Sequence, residues 1–147
     1  MPVILRAEQP EDRAGIAIVH GQAFPSPGEA VLVDALRTSG NLSLSLVAIE
    51  DSTVIGHVAF SPVSLNGAPG NVTGLGLGPV SVLPRRQREG VGTALIRAAL
   101  KDCRELGASF VVVLGEPAYY QRFGFRPASI WVRARCGFIQ VIAPVMR

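Results

Sequence analysis

The spacing of apolar and polar positions divides this 147-residue chain into short elements of two kinds. Val3 to Ala7 reads as a first strand. Pro10-Glu11-Asp12 then opens a helix running to about Phe24, with acidic residues in the first turn, where the helix dipole favours negative charge. Pro25-Ser26-Pro27-Gly28 breaks that helix, and Glu29 to Arg37 predicts a second one, ended by Gly40-Asn41. Leu42, Leu44 and Leu46 alternate with serines before Val47-Ala48-Ile49, the pattern of a half-buried strand. Asp51-Ser52 turns into a third strand, Thr53 to Leu65, interrupted near Pro62, and residues 66–71 read as a loop.

Val72 to Leu83 predicts another strand, weakened by Gly74, Gly76, Gly78 and Pro79. Such a run points to a bulge, or to a place where something comes against the backbone. Next comes an amphipathic helix with the apolar stripe Val91, Leu95, Ala99, Cys103 and Leu106. Phe110 to Leu114 is apolar over the length of a strand. The Gly-Glu-Pro junction after it places Pro117 at the first position of a short helix that ends at Gly124. Phe138 to Ala143 is the last strand-like run.

The chemistry concentrates between the glycine-rich strand and the amphipathic helix. Val82-Leu83-Pro84 leads into Arg85-Arg86-Gln87-Arg88-Glu89-Gly90-Val91-Gly92-Thr93. A helix start leaves backbone N–H groups unpaired and carries partial positive charge. Gly90 and Gly92 keep side chains out of the way, and three arginines crowd the turn, so the segment suits a diphosphate. It is neither a P-loop, since no lysine follows Gly92, nor a dinucleotide fingerprint, since Ala94 and Leu95 stand where a third glycine is due.

The pattern Gln87-x-x-Gly90-x-Gly92 resembles the acetyl-coenzyme A signature of the GNAT superfamily of N-acetyltransferases. A second segment, Tyr120-x-x-x-Gly124-Phe125, looks like the motif that closes the core of that superfamily. The strings LGEPAYYQRFGF over 114–125 and GHVAFSPV over 56–63 are similar to its YhbS-type branch. The resemblance runs to about Ala128; the segment Trp131 to Cys136 departs from it, which bears on the acceptor side of the site.

That resemblance implies a mixed α/β GNAT fold of about seven strands and four helices, in a single domain over residues 1–147. It implies acetyl-coenzyme A as co-substrate, with the pantetheine arm lying like a false strand along a bulged, splayed fourth strand at Val80, Ser81 and Val82. The backbone near Val82 would polarise the thioester. Gln87, Arg88, Glu89, Gly90, Val91, Gly92 and Thr93 would hold the diphosphate, with Arg85 and Arg86 adding charge toward the ribose phosphate. Tyr120 is the implied acid beside the leaving thiolate, while its neighbour Tyr119 is read as packed.

Deprotonating an amine with a reference pKa of ~10.4 needs a base. Val72 to Leu83 contains no Asp, Glu or His. Glu29, where the first two helices of the family line the acceptor groove, is the candidate carried forward. Glu116 reads more simply as a helix cap, His20 and His57 as structural histidines, and a water-mediated base or none at all stays open.

Composition narrows the rest. With 48% apolar and 17% charged residues the chain has the makings of a core rather than of a disordered segment. The net charge of +3 invites a nucleic-acid reading, but no aromatic residues interleave with the basic ones as stacking platforms. Its apolar runs fall far short of the ~20 residues of a membrane span, and no signal peptide is visible, so a cytoplasmic protein is expected. Cys103 and Cys136 have no metal-ligand spacing, and no metal is expected. The expected activity is acetyl transfer to a primary amine of a small-molecule or peptide acceptor, with a homodimer through Phe138 to Ala143 as a further expectation. The rival reading is a catalytically silent coenzyme A-binding sensor or interaction module.

Overall fold

The computed structural model describes residues 2–65, 74–134 and 137–143. The expected loop at 66–71 and Cys136 lie outside them. In chain order the elements are β1 (Ile4–Ala7), a 3-10 turn (Pro10–Asp12), α1 (Arg13–Ala23), α2 (Gly28–Thr38), β2 (Leu44–Glu50), β3 (Thr53–Leu65) and β4 (Gly74–Val82). A second 3-10 turn (Pro84–Arg86) follows, then α3 (Val91–Glu105), β5 (Phe110–Val113), α4 (Pro117–Tyr120), a third 3-10 turn (Gln121–Phe123), β6 (Arg126–Ala134) and β7 (Gly137–Ala143). The strands form one mixed sheet in the order β1-β2-β3-β4-β5-β7-β6, with the end of β3 also meeting β6. The pairings are antiparallel except for β4 with β5, which are joined through α3. A mixed α/β fold is therefore present.

Adjacent positions on β3 show the two faces. A Cβ on Gly56 would lie against Leu95 and Val91 of α3, whereas His57 reaches His20 of α1. Helix α3 buries Val91, Leu95, Ile96, Ala99, Leu100 and Cys103 on the sheet. Leu106 departs from the expected stripe. It is the C-cap residue and is 60% exposed, because the helical period stops applying where the helix ends. Cys103 is fully buried, and burial pushes its thiol up to about 12, so it behaves as a small apolar side chain.

Strand β3 also departs from expectation, because it is not interrupted at Pro62. That residue stays in register opposite Leu75 on β4. The glycines of β4 divide their work. The Phe110 ring of β5 lies where a Cβ on Gly74 would be, and Val63 packs 3.1 Å from the corresponding place on Gly76. Gly78, at φ +138°, lies in the register shift between Val58 and Phe60, where β4 spends one residue more than β3. Pairing of β4 with β5 runs from Gly74–Phe110 to Leu77–Val113, and past Leu77 the two strands part.

Candidate active site

The parting of β4 and β5 opens two cavities that share Phe24 and Val80 as walls. The first, about 600 Å³, lies against the N-terminus of α3 and includes Val80, Ser81, Val82, Gln87, Arg88, Gly90, Val91, Gly92 and Thr93 in its lining. Nine of the ten residues that the sequence assigns to the cofactor thus line one cleft, and Glu89 does not. Its carboxylate instead takes a hydrogen bond from Arg86 Nε at 3.1 Å.

The turn is shaped by its own residues. Gln87 Nε2 donates to the Val82 carbonyl at 3.0 Å, tying the turn back to the end of β4. Arg88 and Gly90 have φ of +65° and +90°, and Gly90 is the N-cap residue of α3 in the left-handed region. No side chain caps this helix. The first N–H groups of α3 therefore face the cleft with the partial positive charge of the helix start behind them. Those donors fit a diphosphate.

The arginines do not act together as expected. Arg86 is paired with Glu50 as well as Glu89, and Arg85 lines a separate cavity with Arg6. The cations on the first cleft are Arg86, Arg88 and Arg122. Sequence reasoning missed Arg122, whose guanidinium lies 4.4 Å from the centre of the Tyr119 ring. It is brought there by the 3-10 turn that follows α4 rather than by any motif spacing. Phe24, at the end of α1, was missed as well.

The second cavity, about 550 Å³, is lined by Leu32, Leu36, Val63, Leu77, Val113 and other apolar residues, together with Glu29 in the first turn of α2 and with Tyr120. Tyr120 is buried, and burial pushes its phenol pKa up, with Tyr119 contributing in the same direction. Tyr119 departs from a purely packed role. It lines the first cleft, and its hydroxyl lies 3.2 Å from Thr93 Oγ1. Glu116 is exposed and lines neither cleft; its carbonyl accepts from the Tyr119 and Tyr120 N–H groups. His20 and His57 are buried and bonded to each other at 2.8 Å, Nε2 to Nδ1.

Residues 5–128 match the family model described as an acetyltransferase (GNAT) domain. The chain belongs to the GNAT acetyltransferase family. It is 40% identical over 128 residues to the uncharacterized N-acetyltransferase YhbS of Escherichia coli K12, covering 86% of this chain and 75% of that protein. A GNAT family acetyltransferase from Brucella melitensis, solved in complex with acetyl-CoA, superposes with a TM-score of 0.80 at 44% identity, over 97% of this chain and 95% of that one. The E. coli YhbS structure in complex with CoA superposes with a TM-score of 0.87 at 34% identity, over 99% and 82%. Among the described residues of this GNAT chain no helix is long and apolar enough to cross a membrane, and no cluster of His, Cys, Asp and Glu could hold a metal ion.

Proposed function

We propose that this acyltransferase moves acetyl from acetyl-coenzyme A to a primary amine of a small-molecule or peptide acceptor. The observation that carries the reading is the pair of cavities meeting at Val80 and Phe24, one against an uncapped helix start and the other apolar with a single carboxylate. The acetyl-CoA and CoA complexes of the two structural relatives support the choice of co-substrate.

In this reading the co-substrate supplies an acetyl group activated as a thioester, and the chain supplies position and charge. The N–H groups of Val91, Gly92 and Thr93 hold the diphosphate, and Arg88 and Arg122 neutralise it. The free edge of β4 from Val80 to Val82 offers backbone groups to the pantetheine amides and the thioester oxygen. Tyr120, kept protonated by burial, donates a hydrogen bond to the sulfur as it leaves. A tyrosine with a raised pKa is a poorer acid than a thiol of about 8.5, so the hydrogen bond does more than a completed transfer would.

Glu29 on the rim of an otherwise apolar cavity suits an amine whose charged end meets the carboxylate while its body lies on Leu32, Leu36 and Val63. A cytoplasmic setting belongs to this reading and agrees with a free, buried Cys103.

The test is thiol release from acetyl-coenzyme A with phenethylamine, spermidine, lysine amide and an alanine-terminated peptide, with cofactor affinity measured alongside. Release with at least one amine is the expected result. Tight coenzyme A binding with no release from any amine would give the protein over to the sensor reading.

A further inference from the structure

The apolar cavity beside Tyr120 has a floor that the strand register defines. Ser61 of β3 lies opposite Gly76 of β4, and Gly76 lies beside Val112 of β5. Partners across a ladder project to the same side, as do residues two apart on one strand, so Ser61, Val63 and Val112 stand on one face around Gly76. A Cβ on Gly76 would lie 3.1 Å from Val63 Cγ1 and 3.9 Å from Val112 Cγ2; without it the floor stays level between those side chains. Counting by twos along β3, this is the face on which His57 meets α1. Phe24 at the end of α1, with Leu32 and Leu36 of α2, walls the cavity above it.

Glu29 is the one charged residue among the described residues that line this cavity. It is half-buried, and among the described residues its carboxylate has no hydrogen-bond or ion-pair partner. Glu8, Asp12 and Glu50, also withdrawn from solvent, by contrast each hold an arginine. A carboxylate partly out of water at the edge of apolar walls is stabilised by a cation, and here the cation has to come with the ligand. None of the described lining residues is basic, so a carboxylate entering the cavity finds no counter-charge and is repelled by Glu29. A second ammonium has no partner either, once the first has taken Glu29. Peptide amides would need several polar partners, and the described side chains offer only the hydroxyls of Ser61 and Tyr120 besides Glu29.

We propose that the acceptor is a small monoamine with one positive charge, no carboxylate and a compact apolar body, an arylalkyl or branched alkyl amine, and that Glu29 selects it. This rests on the transferase reading above and narrows its primary amine to one class. Free amino acids are set aside by their carboxylate, polyamines by their further charges and peptide termini by their amides. The ammonium is held by Glu29, and the body covers Val63, Gly76 and Val112 under the side chains of Leu32 and Leu36. Selection is then by subtraction: the apolar surface favours the body, and the lack of a second counter-charge rejects every acceptor that brings one charge too many.

The test is kcat/KM at one fixed pH for phenethylamine, phenylalanine, spermidine and an alanine-terminated peptide, with wild type, Glu29→Gln and Leu32→Glu. Neither variant residue lines the cofactor cleft, so coenzyme A affinity should hold. Leu32 is 42% exposed and Glu29 half-buried, so both variants should fold. Wild type should prefer phenethylamine to each of the others by on the order of 100-fold, the scale of fully burying one apolar side chain. Glu29→Gln should lower kcat/KM for phenethylamine at least about tenfold, the loss of a hydrogen bond to a charged group. It should lower that for phenylalanine less, because the repulsion of its carboxylate goes too, so the preference between the two shrinks. A glutamate that served only the fold would scale both substrates alike. Leu32→Glu adds a second carboxylate next to Glu29 on α2 and should raise spermidine relative to phenethylamine. Equal or faster use of phenylalanine, spermidine or the peptide by wild type, or a preference that either variant leaves unchanged, would overturn the inference while leaving the transferase reading intact. Absence of thiol release from wild type with every amine would overturn both.

Discussion

Tyr119 and Tyr120 are neighbours in the chain and face different cavities, the first beside Thr93 at the cofactor cleft and the second against the apolar cavity with Glu29. Their substitutions should therefore part company. Tyr120→Phe should lower kcat on the order of 100-fold with coenzyme A affinity unchanged. Tyr119→Phe loses one hydrogen bond to Thr93, worth about 1 kcal/mol, and should weaken cofactor binding severalfold with kcat little altered. Steady-state kinetics together with calorimetric titration of coenzyme A would separate the two. At this scale the residues that line the first cleft were legible because glycines and a glutamine at fixed spacing are close in sequence. The hydrogen bonds linking Ser81 to His20, His20 to His57, His57 to Ser45 and Ser45 to Glu8 were not legible. The five residues come from α1, β2, β3, β4 and the position just after β1, and only the packing of α1 on the sheet makes them neighbours.

Elements were legible wherever the apolar period changed, as at the breaks around Pro25 to Gly28 and Asp51-Ser52. Pattern alone could not apportion the glycines of β4. A missing side chain reads the same whether a neighbouring ring or a bulge requires it, yet Gly74 answers to Phe110 and Gly78 to the register shift. Gly15 of α1 gave no sequence signal at all. A Cβ there would stand 2.8 Å from Val54 Cγ2 and 2.9 Å from Val54 Cβ, close to the β3 backbone and with no flexible end to yield. Gly15→Ala should thus destabilise by about 1–3 kcal/mol, although alanine is the better helix former by about 1 kcal/mol. Urea unfolding of the purified variant checks the sign.

For the whole molecule the mixed α/β class was legible through the resemblance to the GNAT superfamily that the Gln87–Gly92 and Tyr120–Phe125 motifs carry. The order in which the last strands enter the sheet did not, because β7 inserts between β5 and β6 and nothing in its apolar run says so. The buried histidines also have a global consequence. An unfolded chain takes up protons on both near pH 6.5, whereas the folded chain does so only near 4 for His20 and 3 for His57. Their contribution is complete above pH 6.5 and is lost as the pH falls toward 4. The loss is about 2 kcal/mol per histidine at pH 5, and His57→Gln should halve the slope. Urea midpoints between pH 7.5 and 5 would show it.

The central claim is that the helix start at Gly90 holds the diphosphate of a coenzyme A thioester, and calorimetric titration of acetyl-coenzyme A into wild type and Gly90→Val tests it most directly. Gly90 sits at φ +90° with open space around it, so a valine there strains the turn and crowds the cleft rather than the core. One saturable site in the wild type, weakened at least about tenfold (~1.4 kcal/mol) in a variant that still unfolds cooperatively, is the predicted result. Equal affinity in the two chains, or no binding to the wild type, would contradict it.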